Sequence, residues 1–142
     1  MTEVRLVYPM LAMVFLTFVV LIVLFRSRVR MVREGHAPVS YFRTFQGSLE
    51  EPDYAAKPAR HFVNLFEAPT LFYVGCLAAM VVGVSGWPVL ALAWGYVAAR
   101  GLHAWVHLGG NRVRHRMRAY FVSWLLLLAL WVQVGMTAAQ RH

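Results

Sequence analysis

Residues 60–84 read RHFVNLFEAPTLFYVGCLAAMVVGV, and the way this stretch divides decides the fold. Its second part, 68–84, carries no charge but falls short of the roughly 20 residues a helix needs to cross a hydrocarbon core of about 30 Å. The preceding RHFVNLFE shows no breaker, so one helix over about 60–85 is expected, polar at one end and apolar beyond. Within that polar end Arg60, Asn64 and Glu67 are spaced four and three apart, which stacks them on one helical face. A charge held in hydrocarbon costs about 2.5–3.5 kcal/mol even on the lenient insertion scale, so these residues need partners or a task.

Working outward, residues 6–25 (LVYPMLAMVFLTFVVLIVLF) form a first uncharged run of spanning length, and RSRVR follows it. The run is too long for the apolar region of a secretory leader and no small-residue cleavage site follows, so it is expected to remain as an anchor. Downstream, Ser85, Gly86, Trp87 and Pro88 mark a tight turn, with Pro88 suited to the first turn of a third helix. Gly109, Gly110 and Asn111 close that helix, and 119–139 (AYFVSWLLLLALWVQVGMTAA) supplies the last long run. The expected fold is an all-α membrane protein, a four-transmembrane-helix up-down bundle forming a single domain over residues 1–142. Its helices are expected at about 5–28, 60–85, 88–108 and 116–139, with a connection over 29–59.

Composition agrees with a chain whose solvent is lipid. Hydrophobic residues make up 60% and charged residues 14%, against about 45–50% and 25% in soluble domains. A single cysteine, Cys76, inside an apolar run excludes an internal disulfide framework, a multi-cysteine zinc cluster and CxxC chemistry. The net charge of +8 does not point to nucleic acid, because the arginines border apolar runs and form no separate basic module. Twelve of the fourteen Lys and Arg residues lie between the first and last apolar runs, and the 85–88 turn has none. By the positive-inside rule the connections between spans one and two and between spans three and four face the cytoplasm, and both termini face outward.

Two further polar stripes join the first. Arg100, His103 and His107 repeat the three-and-four spacing near the end of helix three, and Arg112, Arg116 and Tyr120 share a potential face leading into helix four. Glu67 is the only acid within the four expected helices. It can pair with Arg60 or Arg100, and Asn64 can bond a neighbouring backbone, in which case the cluster merely joins helices. One carboxylate nevertheless cannot neutralise Arg60, Arg100, Arg112 and Arg116, so an external anion is implied. His103 and His107, as HAWVH, have helical ligand spacing but lack the glutamate of HExxH and a third ligand, so no metal is expected.

These residues resemble the MAPEG family, the membrane-associated proteins of eicosanoid and glutathione metabolism. The likeness rests on Arg60-x3-Asn64-x2-Glu67 followed by Pro69, on Arg100-x2-His103, and on Arg116 with Tyr120. It implies a homotrimer with glutathione as co-substrate at each protomer interface, open to the cytoplasm. It also implies that Arg60, Asn64, Glu67 and Arg100 build the glutathione pocket, with His103, His107 and Arg112 beside them. Arg116 would stabilise the thiolate and Tyr120 would orient the thiol or donate a proton. Arg114 competes with Arg116 for that role.

The implied activity is glutathione transfer or peroxidase chemistry on a lipophilic electrophile or hydroperoxide arriving from the bilayer. Glutathione carries two carboxylates, one ammonium and one thiol, which complements several arginines and one glutamate. His107 stands where the eicosanoid enzymes have a tyrosine, and Met117 where some members have serine. The basic connection and the HLGGNRVRHR segment look more like bacterial members, which implies an inner-membrane location. An alternative reading is a non-catalytic membrane protein whose arginine pocket holds anionic lipid or a metabolite. For the orientation, single cysteines introduced between residues 30 and 58 are expected to react with an impermeant reagent from the cytoplasmic side only; reaction from outside inverts the topology.

Overall fold

The structure is a computed structural model that describes residues 4–45, 49–110 and 113–140. Every regular element in it is helical. A 3-10 turn at Val4–Leu6 leads into α1 (Val7–Arg33), and a second short turn, Val39–Arg43, lies in the connection. Then follow α2 (Asp53–Asn64), α3 (Ala68–Val82), α4 (Trp87–Leu108) and α5 (Val113–Ala139).

The expected single helix over 60–85 is therefore two helices, and the reason is Pro69. Proline has no N–H to offer the carbonyl four residues back, and its ring collides with that carbonyl, here Leu65. The chain leaves the helix at Asn64, and Glu67 takes φ −91° and ψ −96° just ahead of α3. Pro69 then sits in the first turn of α3, where a missing N–H costs nothing. Two other boundaries move. α1 runs on to Arg33 because nothing in RSRVRMVR breaks it, and residues 53–59, expected in a loop, form the first turns of α2. Ala55, Pro58 and His61 are the buried positions of α2, at successive steps of three.

Taken as one interrupted rod, Asp53–Val82 is long and apolar enough to cross a membrane, as are Val4–Arg33 and Arg114–Ala139. α4 is the exception to the expectation of four such spans. Its 22 residues would reach through the hydrocarbon, but Arg100, His103 and His107 keep it out of the set that is sufficiently apolar. A single core joins the rods: Met13 and Val20 from α1, Phe72 and Cys76 from α3, Tyr96 from α4, and Leu130 from α5 are all fully buried. Large apolar side chains such as Phe15, Phe18, Leu125 and Leu128 point outward, as an integral membrane protein requires of its lipid-facing or partner-facing surface.

Two glycines shape the path. Gly83 closes α3 in the left-handed region at φ +74°, with its own N–H bonded to Met80 O and Val84 N bonded to Ala79 O, the double closure that favours a residue without Cβ. Gly75 sits where α3 crosses α5. A Cβ there would stand 2.8 Å from Leu130 Cδ2 and 3.1 Å from Trp131 Nε1, and Trp131 Nε1 donates to Leu71 O at 3.2 Å across the same contact.

At the other end a small apolar cluster of Met31, Ala37 and Ala55 ties the connection to α1 and α2. Arg28 bonds Glu51 at 2.6 Å, and Tyr41 donates its hydroxyl proton to the same carboxylate. Bonding from Arg30 and Tyr54 holds the Glu34 carboxyl below its ordinary range, so it stays ionised. Part of the basic collar that Arg26, Arg28, Arg30 and Arg33 form at the end of α1 is thus bound to the connection's own acids.

Gly75→Ala is expected to lower stability by roughly 1–3 kcal/mol, the usual cost of overpacking. Gly101→Ala, whose Cβ would meet nothing within 4 Å, is expected to be neutral or to gain about 0.5–1 kcal/mol in a helix interior. Thermal unfolding of both variants in detergent checks the pair, and equal losses would remove the α3–α5 crossing as the cause.

Candidate functional site

The break before Pro69 frees carbonyl groups at the end of α2, since the last C=O groups of any helix lack intrahelical donors. Leu65 N takes those of His61 and Phe62, and Phe66 N takes that of Val63. Asn64 O accepts instead from Nη2 of Arg100, at 3.0 Å. Arg100 is fully buried on α4, and among the described residues its Nε and Nη1 have no partner. No carboxylate lies within ion-pair distance of it among the described residues; Glu67 is near enough to act on it through space only. Beside it the Tyr96 ring stacks on Phe72 with centroids 4.4 Å apart, and among the described residues the buried Tyr96 hydroxyl has no partner.

One turn further along α4, three imidazoles meet. His61 of α2 lies 5.4 Å from His103 and 5.2 Å from His107, centroid to centroid, and the latter two are 5.8 Å apart. α5 is bonded to this group twice through one residue. Arg116 Nη1 donates to His107 Nδ1 at 3.1 Å, and His103 Nδ1 donates to Arg116 O at 3.2 Å. The partners assign the tautomers. A guanidinium only donates, so His107 Nδ1 is the bare nitrogen; a carbonyl only accepts, so His103 Nδ1 carries the proton. The Tyr120 ring packs 5.8 Å from His103. Among the described residues, both nitrogens of His61 and Nε2 of His103 are buried without partners. Among the described residues no group of three His, Cys, Asp or Glu side chains is placed to hold a metal ion.

The set expected from sequence is therefore brought together in part. Arg100, His103, His107, Arg116 and Tyr120 converge. Asn64 contributes its backbone, not its side chain. Arg60 and Glu67 are exposed; Arg60 shares a face of α2 with Asn64, but the break after Asn64 takes Glu67 out of that face. Arg112 lies outside the described residues.

A sequence model of the MAPEG family matches residues 6–136. The chain belongs to the MAPEG family. No curated protein and no solved structure gives a significant match.

In this MAPEG chain the geometry separates the two arginines that compete at the start of α5. Arg114 is exposed, whereas Arg116 is half-buried and bonded to His107. His107 supplies the acceptor for that arginine. Sequence reasoning missed His61 and Tyr96. The signal for His61 was the three-residue step from Ala55 and Pro58, visible only once 53–59 is read as helix. Tyr96 lies four residues before Arg100, on the same α4 face.

Replacing His61 by phenylalanine keeps the ring and removes two unpartnered nitrogens, so stability is expected to hold or rise. His107→Phe removes the acceptor of a charged donor and is expected to cost about 1.5–3 kcal/mol. Equal losses in thermal melts of the two variants would mean that the His61 nitrogens are bonded after all.

Proposed function

We propose that this MAPEG protein binds glutathione, or a closely related anionic thiol, and directs its thiolate at a lipophilic electrophile or hydroperoxide. The observation that carries this reading is Arg100. A guanidinium that is fully buried, with one bond to a neutral carbonyl and two nitrogens unpartnered, lacks a counter-charge. A carboxylate of the tripeptide has the matching charge and the two-oxygen geometry that such a fork receives best. Arg60 lies at the same end of the bundle as a second cation, and exposed Glu67 is available for the ligand's ammonium group.

Arg116 is the residue we assign to the sulfur. A nearby cation favours thiolate over thiol, and His107 holds this guanidinium from one side without adding an opposing charge. Tyr120, against His103, is placed to orient the thiol or pass a proton. The bound thiolate supplies the nucleophile, so neither a protein nucleophile nor a metal is needed. The reading also takes the homotrimer and the alternating, cytoplasm-facing arrangement of the four rods as its setting. The ligand would then sit between protomers, and the lipophilic partner would arrive along the exposed apolar surface.

Equilibrium binding of glutathione to the intact protein in detergent tests the pocket. Saturable binding is expected, weakened roughly 10- to 100-fold in Arg60→Ala, the scale of one lost charged hydrogen bond. The ultraviolet absorbance of bound thiolate is expected to vanish in Arg116→Ala. Absence of saturable binding to a preparation verified as folded would overturn the thiol reading and leave the arginine pocket to anionic lipid or a metabolite.

A further inference from the structure

His107 is the point at which α2, α4 and α5 meet. From α5, Arg116 Nη1 donates to its Nδ1 at 3.1 Å. From α4, the His103 ring stacks on it with centroids 5.8 Å apart and planes 13° from parallel. From α2, the His61 ring lies 5.2 Å away, and the Lys57 main chain is a hydrogen-bond partner of the imidazole. Among the described residues, the charges that act on His107 through space belong to Arg116, Arg60 and Lys57, with no carboxylate among them. All of these contacts are made inside one protomer. His61, His103 and His107 are buried there, so association with further copies leaves them covered.

A neutral imidazole has one N–H and one bare nitrogen, and the bond made by either nitrogen fixes the other. Arg116 donates to Nδ1 of His107, so the ring carries its proton on Nε2. A main-chain carbonyl only accepts, so Lys57 receives that N–H and keeps the ring in this form. The other tautomer would set N–H against N–H at Arg116 and a lone pair against the Lys57 carbonyl. His103, one turn earlier on α4, has the opposite assignment, with Nδ1–H donating to Arg116 O at 3.2 Å. The two histidines thus grip one residue by its side chain and by its main chain. Only the grip on the side chain requires a bare Nδ1.

We infer that His107 is a positioning residue for Arg116 and that α2 sets it: the Lys57 carbonyl holds the ring in its Nε2–H form, and the bare Nδ1 fixes the direction in which the guanidinium points. Aiming that guanidinium at a sulfur rests on the thiol reading above. The tautomer and the grip do not.

The test uses the full-length protein in detergent and two variants. His107→Leu removes the acceptor, and His107→Asn places Oδ1 where histidine has Nδ1. The absorbance of bound thiolate per glutathione is expected to fall about tenfold in His107→Leu, the factor of one pKa unit, and to return in His107→Asn. S-methylglutathione has no thiol to ionise, so its affinity is expected to be the same in all three proteins. Equal thiolate absorbance in wild type and His107→Leu, an equal loss of affinity for both ligands, or no recovery in a folded His107→Asn preparation would make His107 a packing residue and overturn the inference.

Nitrogen NMR of the histidine-labelled protein reads the tautomers without any ligand. His107 is expected to carry its proton on Nε2 and His103 on Nδ1. The His107 assignment is expected to persist in Arg116→Leu, because the Lys57 carbonyl remains. A proton on Nδ1 of His107, or a mixture of tautomers in Arg116→Leu, would overturn the inference even where glutathione binds. Absence of any glutathione signal in wild type would defeat the thiol reading, and the tautomers alone would then decide the grip.

Discussion

A guanidinium buried among apolar helices has to be bonded by something, and in this protein the bond from Arg100 to the Asn64 carbonyl is what the rest of the site is arranged around. The acceptor exists because Pro69 interrupts the rod and leaves the last carbonyls of α2 without helical donors. One residue that cannot donate thus creates the acceptor for one that can only donate. The same interruption ends α2 against α4, which brings His61 beside His103 and His107. Proline position, helix end and arginine burial belong to one device.

The two basic regions are built on opposite electrostatic plans. Arg28 and Arg30 in the collar are matched with Glu51 and Glu34, and aromatic rings lie under both guanidinium groups. Those pairs are partly solvated, where each contributes little to stability, and their effect is to shape the connection. Arg100 is instead held by a carbonyl. Such an acceptor orients a cation and leaves its charge in place, as the proposed anion site requires.

The apolar runs were legible as rods because hydrophobic length in a bilayer is a one-dimensional quantity, and the start of α4 at Trp87–Pro88 follows from local turn chemistry. The inward direction of Arg100, His103 and His107 was legible from helical spacing. The division of the second rod is not, because the apolar length of RHFVNLFEAP masks the steric effect of Pro69 on Leu65, four residues upstream. The start of α2 is hidden for a separate reason, the Pro-rich acidic character of residues 50–58, and with it the buried face that carries His61. The pairing of collar arginines with Glu34 and Glu51 depends on how the connection folds back, which no local pattern contains.

α4 and α5 are joined by the short stretch around Gly109 and Gly110, which looks permissive of any change. Yet Arg116 is bonded to His107 through its side chain and to His103 through its main chain, so α5 enters the bundle in one angular setting. A change of length in that linker is therefore compatible with the bundle only where α5 still presents Arg116 to both α4 histidines in this one setting. The length of the segment is constrained by bonds that lie outside it.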